Sequence, residues 1–343
     1  MIKLLTVIAT CLASLFWPQT VYPYPHRGVL LDCARKYYTP DWICDLIDQM
    51  SASGANELIL HFSENEGLRI KSENFPWLTA DEGDEVYSHE DIRALGAYAQ
   101  EHGITLIPSF DTPGHLQYIL DRYKTHEGKD IALSDAPQCL NITDPDGIKF
   151  IRTLIDEYAS LFKETGSTQF DMGGDEVFPT SLWENLVEWQ NWAQFITGDE
   201  SASSYDAFIT YMNDTNRFLK ERGYTCRMYN DQLRKSNAQL DEDITIEYWE
   251  CAGQLPEKNP VLNYLNFYLY YILDPHLSYP GVDPAAIRRE WTPAFFLNTH
   301  IDRNRVVGSS FCIWSDIPEC QTQDEVMEGI KPLLAAWSEK CGK

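Results

Sequence analysis

Residues 57–62 read Glu-Leu-Ile-Leu-His-Phe, a short apolar run with the length and composition of a buried β-strand. A segment with helical spacing follows at Glu90–Glu101, and a second strand-like run follows at Ile104–Phe110. A strand, a helix and another strand in this order form the unit from which parallel sheets are built. This part of the chain therefore predicts an α/β fold with a parallel sheet.

The same alternation continues in both directions from this unit. Upstream, Gly28–Cys33 is a predicted strand and Asp41–Ser53 a predicted amphipathic helix. The later predicted strands are Thr168–Gly173, Thr225–Tyr229, Ile244–Tyr248, Tyr268–Leu273 and Val306–Trp314. Helical segments are predicted within Asp144–Lys163, Leu182–Thr197, Tyr205–Glu221 and Gln323–Glu339. Eight strands with intervening helices predict a single (β/α)8 TIM barrel over residues 23–343. A doubly wound sheet is the alternative, but no Gly-x-Gly-x-x-Gly turn opens the first unit.

Residues 1–22 have the pattern of a leader. One lysine precedes a short apolar run that ends at Pro18, which is too short to span a bilayer comfortably and fits a signal-peptide core. We therefore expect a secreted or exported protein, with cleavage of the leader or its retention as an anchor left open. No later segment has the length and hydrophobicity to cross a membrane.

The charge balance limits the classes of partner. Fifty-two acidic residues against 27 basic ones give a formal net charge of −25, which repels nucleic acid and anionic membranes. Aromatic residues make up 13% of the chain, which suits a carbohydrate site and equally suits a well-packed barrel.

Eight cysteines remain if Cys11 leaves with the leader, an even number that permits disulfides in an exported chain. Cys312 and Cys320 are close enough in sequence to form a local disulfide. No cysteine or histidine spacing in the sequence is typical of a zinc site.

Polar and aromatic residues recur where the predicted strands end, which is where barrel enzymes place their active sites. These ends carry Asp32 and Arg35, the stretch His61–Gly67, Asp111 to His115, Asp175 and Glu176, Asn230 and Asp231, Trp249, and Trp314 to Asp316. Acidic and basic side chains are rare in buried strands unless they are paired or functional. Their repetition at matching positions therefore predicts a site.

The fourth strand is the most informative, because Phe170-Asp-Met-Gly-Gly-Asp-Glu-Val177 ends in two adjacent carboxylates. Two glycines allow a ligand or a neighbouring strand to approach the backbone closely. Two carboxyl groups at close range cannot both ionise easily, so one pKa should rise, as a general acid requires. The alternative is structural: an Asp that caps a helix, followed by a Glu in its first turn.

This stretch resembles the His-x-Gly-Gly-Asp-Glu signature of glycoside hydrolase family 20, the β-N-acetylhexosaminidases. The resemblance covers roughly residues 27 to 338. It includes Arg27 to Tyr37 in the first strand, Ile107 to His115 with its Pro-Gly-His sequence, Met228 to Asp231, Tyr248–Trp249, Leu269 to Tyr271, and Ile313 to Pro318.

The resemblance implies an exo-acting β-N-acetylhexosaminidase that retains configuration by substrate-assisted catalysis. Glu176 would be the general acid and base, and Asp175 would hold the N–H of the substrate's 2-acetamido group. Tyr270 would hydrogen-bond the acetamido oxygen, with Tyr268 and Tyr271 as alternatives. The substrate would be a glycan containing N-acetylhexosamine, and neither a cofactor nor a metal is implied.

Seven further residues are implied to contact the sugar or to orient the acid. Arg27 and Asp316 would bind hydroxyl groups, and Trp249 and Trp314 would wall the acetamido pocket or stack on the sugar. Asp111 and His115 would orient the acid. Asp231 is the seventh residue and is expected to contribute to substrate binding.

The chain departs from the family pattern at three positions that bear on substrate choice. Asp171 replaces the signature histidine, Asp316 stands where many members have Glu, and Ile272 stands where an acidic residue often follows the strand-seven Tyr. Two alternatives to the exo-acting enzyme therefore stay open. One is a related glycosidase that releases a disaccharide or trims a specific glycan. The other is a catalytically silent carbohydrate-binding barrel, against which the intact Asp175–Glu176 pair argues. The sequence leaves the natural glycan, the gluco or galacto preference and the oligomeric state open.

Overall fold

A computed structural model describes residues 24–83, 85–177, 186–251 and 254–342. The strands are β1 (His26–Asp32), β2 (Glu57–His61), β3 (Thr105–Ser109), β4 (Ala132–Leu133), β5 (Ala136–Leu140), β6 (Gln169–Asp171), β7 (Thr225–Tyr229), β8 (Thr245–Tyr248), β9 (Val261–Asn263), β10 (Tyr270–Ile272) and β11 (Val306–Trp314). All of them except the antiparallel pair β4 and β5 belong to one parallel sheet.

The helices surround this sheet. They are α1 (Pro40–Ala52), α2 (His89–Glu101), α3 (Gln117–Glu127), α4 (Pro145–Glu164), α5 (Val187–Thr197), α6 (Ser204–Lys220), α7 (Asn266–Leu269), α8 (Pro284–Glu290) and α9 (Gln323–Cys341). Several begin at a side-chain cap that satisfies free backbone N–H groups, as Ser88 does for α2 and Asp144 for α4.

The sheet closes into a barrel. Its order is β1-β2-β3-β6-β7-β8-β9-β11, and β11 returns to β1 in a parallel register that runs from His26 opposite Gly308 to Leu31 opposite Ile313. The predicted (β/α)8 TIM barrel is therefore confirmed, and the doubly wound alternative is wrong.

The seventh strand of the barrel differs from the predicted single strand Tyr268–Leu273. It consists of two short pieces joined by the one-turn helix α7. The lower piece, β9, pairs with β8 and with the start of β11, whereas the upper piece, β10, pairs with the end of β11. The split delivers Tyr270 to the carboxyl end of the barrel.

Alternation along the strands divides the apolar residues into two cores. On β2, Leu58 and Leu60 face outward and pack under the helices, whereas Ile59 faces the barrel interior. The interior core also contains polar residues, among them Arg227 and Glu247, which are almost fully buried. The barrel is thus filled, and the open space lies at its carboxyl end.

Three further expectations concern the ends of predicted segments, the cysteines and membrane-spanning helices. The leader and residues 182–185 of the predicted helix Leu182–Thr197 lie outside the described residues. The local disulfide between Cys312 and Cys320 is wrong, since both thiols are free and Cys312 is buried. Within the described ranges, none of the helices combines the length and hydrophobicity of a membrane span.

Candidate active site

A pocket of about 150 Å³ opens at the carboxyl ends of the strands. Eight of its lining residues are predicted site residues: Asp111, His115, Asp175, Glu176, Tyr270, Trp249, Trp314 and Asp316. The other lining residues are Arg35, His61, Glu64, Ile272, Leu277 and Tyr279. The strand ends singled out in the sequence therefore converge on one cavity.

A tight turn after β6 carries the two central carboxylates. Gly173 and Gly174 both have positive φ angles, +67° and +85°, which only glycine adopts without strain. A Cβ atom on Gly173 would lie 2.0 Å from Asp111 Oδ1, so the carboxylate occupies the space that a side chain would need. The Gly174 N–H donates to the same Asp111 oxygen at 2.9 Å. These contacts explain why the motif needs two glycines.

The turn aims Asp175 and Glu176 at the same cavity although they are neighbours in sequence. Glu176 has a φ of +42°, a conformation that non-glycine residues rarely adopt, and its N–H donates to Asp231 Oδ2 at 2.9 Å. The Glu176 side chain is 59% exposed, whereas that of Asp175 is 14% exposed. Strained backbone held by a buried carboxylate is typical of functional sites.

His115 connects the carboxylates of the pocket. Its Nδ1 forms a short hydrogen bond with Glu64, and its Nε2 lies 4.0 Å from Asp175 Oδ1 and 3.7 Å from Glu176 Oε2. Burial alone would lower the pKa of His115, but Glu64 and Asp175 outweigh it and raise this pKa well above its ordinary value. The imidazole is therefore positively charged at neutral pH.

The two central carboxyl groups have raised pKa values for related reasons. Burial, and then the charge of Asp175, raise the pKa of Glu176 to about 7. Burial also raises the pKa of Asp175, against the lowering effect of His115, to about 6. Glu176 can thus hold a proton near neutrality in the exposed position, while Asp175 ionises first beneath it.

Three aromatic rings form a wall of the pocket. Trp249 and Tyr270 stack with their planes 4° apart and their centroids 6.0 Å apart, and Trp314 lies 5.6 Å from Tyr270. The indole N–H of Trp249 donates to Asp231 Oδ1 at 3.2 Å. Asp231 is 3% exposed and does not line the pocket, so its contacts position Trp249 and the Glu176 backbone.

The arginine of the pocket is Arg35, and the prediction of Arg27 is wrong in its placement. Arg27 lies near the amino end of β1, where its guanidinium donates to the carbonyl oxygens of Gly54 and Tyr24. Because side chains at that end face away from the active-site mouth, Arg27 cannot reach a ligand there. Arg35 follows the carboxyl end of the same strand and lines the cavity.

Arg35 is held by carboxylates on two strand ends. Its NH1 donates to Asp32 Oδ2 at 2.9 Å and its NH2 to Glu64 Oε1 at 2.7 Å, while Glu66 lies 3.3 Å from its Nε. Glu64 thus joins Arg35 to His115, and these two cations, outweighing burial, lower the pKa of Glu64 to about 2. Glu64 belongs to the predicted polar stretch His61–Gly67, but its role as a bridge was not predicted.

The rim beside β10 is partly apolar. Ile272 lines the pocket at the position where the resemblance leads one to expect an acid, and Leu277 and Tyr279 follow on the next loop. Asp316 lines the same pocket, and burial raises its pKa above the ordinary value. The mouth of the pocket therefore combines apolar side chains with a carboxyl group.

Asp111, His115 and Asp175 offer ligand atoms within 4.8 Å of one another, close enough for a metal ion. However, His115 carries a proton on both ring nitrogens when it is charged, and a protonated imidazole cannot bind a metal. Asp111 Oδ1 is in turn occupied by the N–H of Gly174. The cluster is therefore better suited to storing and moving protons than to binding a cation.

The catalytic domain model of glycosyl hydrolase family 20 matches residues 24–341. Among curated proteins, a lacto-N-biosidase of Bifidobacterium bifidum is 27% identical over 316 residues, which cover 90% of this chain and 27% of that protein. A β-hexosaminidase subunit A1 of Dictyostelium discoideum is 30% identical over 236 residues, covering 68% of this chain and 43% of that protein. The chain thus spans less than half the length of these two relatives.

Solved structures agree on the fold. Dispersin B has a TM-score of 0.76 and 27% identity, with 92% of this chain and 98% of that chain covered. An exo β-N-acetylglucosaminidase from Vibrio harveyi has a TM-score of 0.74 over 94% of this chain and 55% of its own, and at 22% identity it supports the fold alone. With a family model matched across almost the whole chain, the protein belongs to glycosyl hydrolase family 20.

Proposed function

We propose that the protein is an exo-acting β-N-acetylhexosaminidase that works by substrate-assisted retention. The observation that carries this proposal is the pair of carboxyl groups with different environments in one pocket: exposed Glu176, whose pKa is about 7, and shielded Asp175, whose pKa is about 6. Environments that separate the pKa values of neighbouring carboxyl groups assign them different roles. Relatives named β-hexosaminidase and family membership support the same activity.

In the first step, Glu176 donates its proton to the glycosidic oxygen, and the bond from this oxygen to the anomeric carbon breaks. The carbonyl oxygen of the substrate's own 2-acetamido group attacks the anomeric carbon and closes an oxazolinium ring. Asp175 accepts a hydrogen bond from the acetamido N–H, which orients the group and stabilises the positive charge. Asp175 Oδ1 is buried without a hydrogen-bond partner and is thus available for this contact.

In the second step, Glu176 removes a proton from water, and the water oxygen attacks the anomeric carbon. The bond from this carbon to the acetamido oxygen breaks, which restores the acetamido group. Two inversions at the anomeric carbon give net retention. The aromatic wall of Trp249, Tyr270 and Trp314 encloses the acetamido methyl and shields the intermediate from bulk water. The Tyr270 hydroxyl donates to the acetamido oxygen. Arg35 and Asp316 bind hydroxyl groups of the terminal sugar.

The direct test is hydrolysis of aryl N-acetyl-β-glucosaminide and its galacto epimer beside the matched aryl β-glucoside, which lacks the acetamido group. We expect cleavage of at least one acetamido sugar, no measurable cleavage of the glucoside, and inhibition by a thiazoline analogue of the oxazoline. Equal cleavage of the glucoside, or an active enzyme that the thiazoline leaves uninhibited, would contradict substrate assistance. No hydrolysis by the folded protein would favour the silent carbohydrate-binding barrel.

A second candidate activity is release of a disaccharide. It is favoured by Ile272, which places an apolar side chain on the pocket wall where an acid is expected to grip a terminal sugar, and by the lacto-N-biosidase among the relatives. The aryl glycoside of a disaccharide with N-acetylglucosamine at its reducing end separates the two activities. Release of the intact disaccharide, with slow cleavage of the monosaccharide glycoside, would replace the exo-acting assignment.

We also propose that the chain is exported, on the basis of the leader pattern in residues 1–22. Expression of the full chain, followed by fractionation and amino-terminal sequencing of the product, tests this. Intact protein confined to the cytosol would contradict it.

A further inference from the structure

Asp171 lies one hydrogen bond from the catalytic turn and does not line the pocket. It ends β6 inside the barrel with no exposed surface, and its Oδ1 accepts the N–H of Gly173 at 2.9 Å. The turn therefore has two carboxylate anchors, because Asp111 holds the N–H of the next residue, Gly174, from the pocket side. The position that departs from the family signature thus supports the turn from below.

A second buried carboxyl group faces Asp171. Glu247 lies on β8, two strands away, and is also without exposed surface. The two carboxyl groups are close enough to hydrogen-bond each other. Among the described residues, no donor meets Asp171 Oδ2 or either oxygen of Glu247 in good hydrogen-bond geometry. The Ser109 hydroxyl lies beside Asp171, and the Tyr264 hydroxyl lies beside Glu247.

The nearby cation is mainly engaged elsewhere. Arg227 donates from NH2 to Glu57 Oε2 at 2.6 Å and to Gln169, whereas its NH1 lies 3.9 Å from Glu247 Oε1. In the described part of the chain, the other charged or titratable groups around the two carboxyl groups are Glu57, Cys226, Tyr229, Tyr264, Tyr270 and Cys312. One arginine thus faces three carboxyl groups.

Two fully buried carboxyl groups in contact cannot both be ionised. A proton on one of them provides the missing donor, because a carboxylic acid can donate an O–H to the partner's oxygen. Burial acts in the same direction, since it raises the pKa of both Asp171 and Glu247. The pair then carries a single negative charge opposite Arg227.

We propose that Asp171 and Glu247 share one proton inside the barrel, and that this acid pair is a positioning device that fixes the Gly173–Gly174 turn. Neither residue touches the substrate. Asp171 acts through the Gly173 N–H, and Glu247 acts by locking the orientation of Asp171. The kinetic part of this proposal rests on the proposed function, whereas the shared proton does not.

The shared proton predicts a specific pH dependence of unfolding. In the unfolded chain both groups ionise near pH 4, whereas the folded pair keeps its proton to higher pH. The stability due to this proton is complete below the unfolded pKa and is lost as pH rises through the folded pKa. Glu247→Gln supplies an N–H donor without proton uptake. Between about pH 5 and pH 8, the unfolding equilibrium constant of the wild type should rise about tenfold per pH unit relative to the variant.

Denaturant unfolding of wild type, Glu247→Gln and Asp206→Asn over this range is the test. Asp206 is a buried carboxylate whose hydrogen bonds to Ser203 outweigh burial and lower its pKa, so its replacement should weaken the fold without changing the slope against pH. Equal slopes for wild type and Glu247→Gln would overturn the shared proton.

Kinetics of Asp171 variants test positioning. Asp171→Asn keeps an oxygen for the Gly173 N–H and should retain kcat within about threefold, whereas Asp171→Ala should lower kcat by roughly 10- to 100-fold with little change in KM. Wild-type kcat in Asp171→Ala, or a tenfold loss in folded Asp171→Asn, would overturn the positioning role. If the Ala variant does not fold, the Asn variant and the unfolding slopes still decide. If the wild type hydrolyses none of the acetamido glycosides, the proposed function is contradicted but the shared proton is not. The pH dependence of unfolding is measured without any catalytic activity.

Discussion

Two polar layers lie one above the other in the barrel, and each contains an arginine between carboxylates. The upper layer consists of Arg35, Glu64, His115, Asp175 and Glu176. The lower layer consists of His26, Glu57, Asp171, Arg227 and Glu247. The side chain of Arg35 is 16% exposed and opens into the pocket, whereas that of Arg227 is 1% exposed.

The difference between the layers is access. In the upper layer the charged side chains face a cavity, so a bound ligand or a proton can change their protonation states and ion pairs. In the lower layer Arg227 and the three carboxyl groups are buried, and only the His26 side chain, 28% exposed, reaches the surface. Removing one of the buried partners therefore leaves the others buried and unpaired. Substitutions in the upper layer should therefore affect activity more than stability, and substitutions in the lower layer should do the opposite. Asp171 is the exception, because its hydrogen bond to the Gly173 N–H connects the lower layer to the catalytic turn.

The largest expected effect is that of Glu176→Gln. Loss of the proton donor should lower kcat by about 10²- to 10⁴-fold on an oligosaccharide, whose leaving group needs protonation. The melting temperature should stay the same or rise, because the amide removes a carboxyl group whose ionisation is opposed by burial and by Asp175. Steady-state kinetics and a thermal melt check both parts. Full activity of the variant would remove Glu176 from the acid role.

The corresponding change in the lower layer is Arg227→Met. It leaves Glu57 buried with only its bond to His26 and its contact with Gln169, so we expect a loss of about 3–5 kcal/mol in unfolding free energy. Activity per folded molecule should change much less than in Glu176→Gln. Denaturant titration measures the unfolding free energy, and kinetics normalised by active-site titration measure the activity per folded molecule. A stable but inactive variant would contradict the expectation that Arg227 contributes to stability more than to activity.

A smaller effect is expected for Arg35, which follows β1, than for Glu176, and Arg27 near the amino end of β1 provides the control. Arg35→Lys keeps the charge but loses the planar donor fork, so kcat/KM should fall by roughly 10- to 100-fold, the value of one charged hydrogen bond. The matched variant Arg27→Lys should keep wild-type kinetics, since Arg27 binds the carbonyl oxygens of Gly54 and Tyr24. A kinetic loss in Arg27→Lys equal to that in Arg35→Lys would contradict the reassignment.

The smallest effect is a shift in pH dependence. Activity requires ionised Asp175 and protonated Glu176, so kcat/KM should fall below about pH 6 and above about pH 7. The charge of His115 lowers both pKa values, so His115→Gln should move both limbs to higher pH by roughly one unit. His102→Gln, on the surface beside Asp48, should leave the profile unchanged. A shift in the opposite direction would contradict a charged His115.

The barrel could be predicted from the sequence because its strands are apolar runs separated by helices with clear periodicity. The split seventh strand could not, because β9 and β10 are three residues each and too short to show a period. Its lower half, Val261–Asn263, lies in a stretch without a predicted element. Tertiary pairing with β11 determines both pieces, and pairing is not visible along the chain.

The site shows where two kinds of inference diverge. The rule that active sites lie at carboxyl strand ends pointed to Arg35 and to the stretch containing Glu64, and both line the pocket. The resemblance suggested Arg27, which lies eight positions before Arg35, near the amino end of the same strand. The link between Asp171 and Glu247 was beyond either method, because it joins residues 76 positions apart on strands that are not adjacent.

The split strand also has a consequence for engineering. Closure of the barrel depends on β9, which bridges β8 and β11, whereas β10 pairs with β11 alone and carries Tyr270 and Ile272. Residues 264–283, from the end of β9 to the rim loop, therefore form a cassette that can be grafted from a relative with another sugar preference. Such a graft would exchange one wall of the pocket and leave unchanged the strands whose pairing closes the barrel.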